Sequence, residues 1–331
     1  MEKSAKVGMK RQFMKGYFVV FLVLVALFII MTIANGNFLT YDNINNLLRS
    51  TAVYGIVALA MTFVIVTGGI DLSVGTNLGL ASMLFTLLIE EAGWHVFPSI
   101  ILAIVVCGIV GTINGVLIHD GKLPPFIATL GMKTIIRAVI VLISSGRNIS
   151  IHNDAFNNFA ISVPIGIPGT DMFGKAIKMG LPVMVLIWIV LIVISFLIFR
   201  YTTFGRNIFA CGSNVNAARL SGISVRKTIY GAFIVSAVFC AIGGLLSASR
   251  LRSGIPTLGD GYEEDAIAAA VIGGASMSGG EGYIGGTVVG SLLIATIKNA
   301  GTLLGFDTNV TKLVIGALII VAVLIDRFKK H

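Results

Sequence analysis

The sequence predicts an all-α, polytopic integral membrane protein of about ten transmembrane helices, and three observations predict it. Apolar residues make up 56% of the 331 and charged residues only 12%, with a mean hydropathy of +0.95, outside the range of soluble globular chains. Apolar runs of roughly 18 residues or more recur along the whole chain, each long enough to cross a bilayer as a helix. The runs are continuous rather than alternating, which argues against a β-barrel. A soluble core of this many all-round apolar helices is excluded, because so few polar residues could not cover it.

Spans are expected near 17–34, 52–67, 76–92, 98–118, 126–144, 181–200, 229–248, 264–280, 284–304 and 311–325, with boundary errors of a few residues. The first follows a basic cluster (Lys3, Lys6, Lys10, Arg11, Lys15) without a small-residue cleavage site, so it reads as an uncleaved span. The second and third are parted only by Thr67–Gly75, and glycines there mark broken helices. The eighth is glycine-rich and weakly apolar, open to a re-entrant reading. Glycine-interrupted stretches at 67–75 and 272–286 fall in opposite halves of the chain, a pattern that can signal internal duplication, although the local sequences match poorly.

Charge sets the sidedness. With the N-terminus inside, about 14 Lys and Arg fall on inner segments and about six on outer ones, so both ends are expected in the cytoplasm. Residues 1–331 then form one transmembrane domain, with a cytoplasmic N-terminus at 1–16, an outer loop at 145–180, a cytoplasmic loop at 201–228 and a cytoplasmic tail at 326–331. The net charge of +9 is accounted for by this bias and calls for membrane lipid, not nucleic acid. Phe204 to Arg226 carries Arg206, Arg219 and Arg226 and no acid, a surface a cytoplasmic partner could grip. The outer loop is polar and turn-rich, with Asn148, His152, Asn153, Asp154, Pro164 and Pro168, and suits either a docking surface or a plain solvated connection.

Few residues carry chemistry. Asp71 or Ser73 can cap the third span, and an acid inside a membrane can also line a polar path. Asn77, Asn114 and Asn299 are further pathway candidates, as is Phe126, which begins a span after two prolines and could stack on a sugar ring. Glu263, Glu264 and Asp265 open the eighth span, where the helix dipole favours acids and where an outer vestibule could receive a hydroxyl-rich ligand. No GxxxxGK[ST] occurs, so the glycine tract at 273–286 is no phosphate loop and any ATPase must be a separate subunit. The four histidines and three cysteines lack metal-ligand spacing, so no metal site is expected. Asp71 is the only acid near a bilayer centre, which weakens an ion-coupled carrier.

Three stretches, GGIDLSVG at 68–75, GSNVNAARLSGI at 212–223 and GDGYEEDAIAAAVIGG at 259–274, resemble the permeases of bacterial ABC sugar importers, most closely the ribose-type branch. The resemblance runs from the second span to the end of the chain. It implies a type II importer-like fold and a pair of permeases, either two copies or a copy with a paralogue. It also implies cytoplasmic ABC ATPases that hold the ATP and magnesium, and an extracytoplasmic sugar-binding protein. The family's ATPase-coupling element falls on Gly212, Asn214, Ala217, Ala218, Arg219, Gly222 and Ile223, with a short helix on Asn216–Leu220 stopped by Gly222. The segment Arg250–Pro256 departs from the family by being more basic.

Overall fold

The computed structural model describes residues 2–170 and 176–328. Those residues form thirteen helices and two small antiparallel sheets. In chain order the elements are α1 (Glu2–Ala34), α2 (Tyr41–Val66), α3 (Val74–Glu90), α4 (Val96–His119), α5 (Pro125–Ser144), β1 (Ile149–Ser150), α6 (Asp154–Phe159), β2 (Gly166–Thr170), β3 (Ala176–Gly180), α7 (Val183–Tyr201), α8 (Thr203–Ser213), α9 (Val215–Leu220), α10 (Val225–Leu251), β4 (Ser253–Gly254), α11 (Tyr262–Ile272), α12 (Ile284–Leu303) and α13 (Thr308–Phe328). Helices α2, α4, α5, α7, α10 and α12 are long and apolar enough to cross a membrane, and Phe18–Ala34, Val74–Glu90 and Thr308–Val321 are shorter apolar helices.

Helix α2 is the hub. From Thr51 to Val66 all but Tyr54 are buried, the signature of a helix that is apolar on every side and enclosed by others. Helices α10, α11, α12 and α7 pack around it. The principal core joins Ile56, Phe63, Leu78, Trp188, Phe239 and Ile284. A second core joins α3, α4, α5 and α10 through Met83, Phe85, Cys107, Met132 and Ala241. By contrast α4, α5 and α7 keep less than a third of their span windows buried. Their apolar outer faces match a hydrocarbon surround.

Two ends of the bundle can be told apart by contacts. At one, the end of α4 meets the start of α10, where Asp120 accepts hydrogen bonds from Tyr230 and pairs with Arg226 at 2.9 Å. At the other, β1 pairs with β4, Ile149 opposite Gly254 and Ser150 opposite Ser253. Helix α6 is held there: Ser249 Oγ donates to the Phe156 carbonyl, and Arg252 donates to Asn158 at 3.0 Å. Cys107, Cys211 and Cys240 are free and buried.

Three differences from the sequence reading have physical causes. Helix α2 begins at Tyr41, eleven residues before its expected start. The polar run Asp42–Arg49 hid its first turns, and Thr40 caps them by accepting from Asn43 N. The expected eighth span at 264–280 is replaced by α11, which has 11 residues and ends at Ile272; at 1.5 Å per residue that is roughly 16 Å, about half a bilayer core. The glycines from 273 onward turn the chain back instead of continuing it, with Gly274, Gly279 and Gly280 at φ +94°, +80° and +78°. The basic loop contains a second helix, α8, capped by Thr202 accepting from Gly205 N at 3.0 Å.

Candidate functional site

The helix starts of α3 and α11 meet in the middle of the bundle. A Cβ on Gly75 would overlap the Gly259 carbonyl oxygen, and one on Gly259 would overlap that of Gly75, so only glycines allow this approach. The depth follows from the partners. Asp71 Oδ2 accepts from Ser236 Oγ at 3.2 Å, and Ser236 is the twelfth of 27 residues in α10. Lys133 donates to Glu263 and is the ninth of 20 residues in α5. The Tyr262 ring packs edge-on to Tyr54, centroids 5.0 Å apart, and Tyr54 is the fourteenth of 26 in α2.

Two crossings are therefore half irregular and half helical, and they run in opposite directions. One leaves the end of α2 through irregular residues 67–73 and becomes helix α3, which ends beside β1 through Glu90 and His152. The other leaves β4 beside Thr86, descends through turns at 255–261 alongside Gly79 and Gly75, and becomes α11. Irregular backbone is tolerated at such depth only when it is enclosed by protein or lines a water-filled space.

The first crossing is sealed by hydroxyls and amides. Asp71 Oδ1 accepts from Ser73 N at 2.9 Å and Ser73 Oγ at 2.5 Å, and Asn114 Nδ2 donates to Ser73 Oγ at 3.0 Å. Asn77 Nδ2 donates to the Ala237 carbonyl at 3.4 Å. Asp71, Ser73, Asn77 and Asn114 are all buried; Asp71, Ser73 and Asn114 are joined by these bonds, and Asn77 bonds instead to the α10 backbone. It is Asp71, not Ser73, that accepts the Ser73 N–H at the head of α3; the Ser73 side chain makes no cap bond. Asn77 Oδ1, Asn114 Oδ1 and Glu263 Oε2 are buried acceptors without a hydrogen-bond partner among the described residues.

The second crossing is charged. Glu263 and Asp265 are buried at 2% and 6% exposure, paired with Lys133 of α5 and Lys298 of α12. Lys298 Nζ also sits 4.4 Å from the Tyr54 ring centroid, a cation–π contact. Arg137 donates to the Pro256 carbonyl, the Leu258 carbonyl and Asp260. Only the fold reveals which acid each of these cations meets. Thr257, Asp260 and Glu264 are exposed in this segment, and Thr134 is exposed on α5. Of the three acids expected at a vestibule, two are thus closed into ion pairs at mid-depth and Glu264 faces outward.

The remaining candidates lie apart. Phe126 is 48% exposed at the first turn of α5. Asn299 forms a reciprocal amide pair with Asn43, at 2.7 and 3.2 Å, tying α12 to the start of α2.

At the α8–α9 end, α9 covers Val215–Leu220 with Asn214 accepting from Ala217 N at 2.9 Å. Gly222 follows at φ +79°, the left-handed turn that ends a helix. Asn216, Ala217, Arg219, Leu220, Ser221 and Gly222 are exposed, Ala218 is buried and Ile223 half-buried. Ala218 packs with Cys211 and Val225 under the helix. Leu220, 89% exposed at the tip, was not singled out from sequence; an apolar residue among basic and small ones in a solvated loop was the available signal. Gly212 is turned inward: a Cβ there would overlap the Val66 carbonyl oxygen.

Fold and site together define a polytopic membrane protein with broken crossings and a basic helical projection at one end. A family model described as branched-chain amino acid transport system, permease component, matches residues 43–323, and the chain belongs to that permease family. It is similar to the ribose import permease protein of Bacillus subtilis, 41% identical over 93% of this chain and 92% of the relative. It is likewise similar to the D-allose transport system permease protein of Escherichia coli, 36% identical over 94% and 91%. The xylose transport system permease protein of Escherichia coli is 32% identical over 95% and 92%. No solved structure matches the chain.

Proposed function

We propose that this chain is the membrane-spanning permease subunit of an ATP-driven ABC importer for a monosaccharide, a ribose-like pentose or a hexose. It passes the sugar from an extracytoplasmic binding protein to the cytoplasm. Sugar is favoured over the amino acid of the family description because the relatives named for ribose, allose and xylose match over more than nine-tenths of both chains. The chain carries no ATP site; ATP and magnesium belong to a separate cytoplasmic ABC ATPase, and a second permease copy or a paralogue completes the pathway.

The observation that carries this reading is the α8–α9 projection: a short capped helix offering Leu220 at its tip, on a segment with Arg206, Arg219 and Arg226 and no acid. An exposed apolar anchor inside a polar rim is what a protein partner's pocket takes up. The excess of Lys and Arg on inner segments supports a cytoplasmic setting for this end, with both termini on the same side of a bacterial inner membrane. Among the described residues, six long helices, three shorter ones and the crossing that ends in α11 support a reading of ten passages, in a single domain whose outer loop, 145–180, docks the binding protein.

The exposed Thr257, Asp260 and Glu264, on the segment that Lys133 and Arg137 tie to α5, face the sugar pathway between two permeases. Turned to lipid instead, a carboxylate at mid-depth would cost about 2.5–3.5 kcal/mol. Phe126, at the inner mouth of the same helix, lies along that route.

The test is binding-protein-stimulated ATP hydrolysis in proteoliposomes holding the permease, its ATPase and its binding protein. Leu220→Asp and Gly222→Trp are expected to lower stimulated hydrolysis at least tenfold while the permease stays monodisperse. Unchanged hydrolysis overturns the coupling role, and uptake driven by an ion gradient without the ATPase would make the chain an ion-coupled carrier.

A further inference from the structure

Three glycine-bearing ends of the chain converge at one point: the end of α2, the end of α8 and the turn between α11 and α12. Gly280 N donates to the Val66 carbonyl at 2.9 Å. Gly212, in the last turn of α8, fits between them: a Cβ there would overlap Val66 O and lie 2.5 Å from Gly280 N. A Cβ on Gly279 would lie 2.8 Å from the Gly212 carbonyl oxygen and 2.9 Å from Gly68 Cα, and one on Gly280 would overlap Ser213 Oγ. The turn is held in shape by Ser276 N donating to the Glu281 carbonyl at 3.0 Å.

This junction is backbone on backbone. Side chains at an interface can absorb a displacement by changing rotamer; main chains in direct contact can only move together or separate. The three ends also lead to different places. From Val66 the chain runs in five residues to Asp71 and the α3 break. From Gly280 it leads back to α11, which bears Glu263, Glu264 and Asp265. From Gly212 it leads forward through Asn214 into α9.

We infer that Gly212 is a positioning residue that acts inside the permease, clamping the α8–α9 projection to both broken crossings so that movement of the projection is delivered to them. The sequence resemblance put Gly212 in the coupling element beside the ATPase; its geometry gives it the opposite face. The inference rests on the proposed coupling role of α8–α9.

The experiment uses the reconstituted permease, ATPase and binding protein, wild type and Gly212→Ala. Gly212→Ala is expected to keep co-purifying the ATPase while sugar uptake per ATP hydrolysed falls at least tenfold. If Gly212→Ala loses the ATPase, Gly212 belongs to the docking face and the inference fails; if uptake per ATP is unchanged, the clamp transmits nothing. Failure of the wild-type permease to hold any ATPase would instead defeat the proposed function itself. Should Gly212→Ala not fold, wild-type hydrogen exchange decides the matter. A non-hydrolysable ATP analogue is expected to change protection in 66–75 and 273–283 together with 203–224. A change confined to 203–224 overturns the inference.

Discussion

The two broken crossings make the same kind of bend with opposite chemistry. The α3 crossing buries its one carboxylate among neutral donors, from Ser73, Ser236 and Asn114 by way of Ser73. The α11 crossing buries two carboxylates against two lysines and leaves two further acids, Asp260 and Glu264, exposed. Neutral donors are short and fixed on the neighbouring helices, whereas lysine pairs span a gap with long side chains that stay tethered while the backbone shifts. The comparison gives the α3 break a close, neutral linkage and the α11 break ion pairs that can hold across a larger backbone shift.

The sharpest way to break the comparison is at the contact the two crossings share. Gly259 is at φ +85° and faces the Gly75 carbonyl, so Gly259→Ala meets both backbone strain and overlap. Strain of this sort costs about 1–3 kcal/mol and overpacking a similar amount. The variant is expected to lose most of its monodisperse peak in size-exclusion chromatography and to lower the unfolding temperature more than any other change discussed.

The charged half is tested by removing one member of a pair. Lys133→Met strands Glu263, and an unpaired buried charge costs about 3–5 kcal/mol, reduced here because the Lys133 side chain is 32% exposed. Adding Glu263→Gln is expected to restore most of the lost unfolding temperature. If the double variant is no better than Lys133→Met alone, the pair is not what holds α5 to α11.

The smallest effect lies outside the membrane, at Asp120. The Tyr230 hydroxyl, then His119 and Arg226, hold its carboxyl below the ordinary range. A depressed carboxylate contributes stability above its unfolded value and loses it as pH falls through the folded value. Tyr230→Phe is therefore expected to lower stability slightly at neutral pH and to leave it unchanged in strong acid, read as the difference between the two unfolding curves.

Much of the fold was legible because hydrocarbon makes a simple demand. Helices α4, α5, α7, α10 and α12 lie within a few residues of their expected spans, since a continuous apolar run has little else to do in a bilayer. The start of α2 was illegible because its polar residues are satisfied by distant partners: Asn43 by Asn299 and Tyr41 by the Gly180 backbone. Helix α11 was placed too far along because hydropathy does not distinguish helix from turn in a glycine-rich stretch. At the site, Glu263 and Asp265 stood out as helix-start acids and Asp71 as a membrane acid. Their partners Lys133, Lys298 and Ser236 are 33 to 165 residues away, and no local pattern carries such pairings.

The buried cysteines have a practical consequence. Cys107 and Cys240 lie in the core and Cys211 lies beneath α9, where burial pushes the Cys211 thiol up and away from its reactive form. Thiolate and access both govern alkylation, so the native chain is close to silent toward maleimides. A fluorophore or spin label can be directed to one introduced cysteine on the exposed face of α9 with the wild-type thiols left in place, and the projection watched in the working assembly.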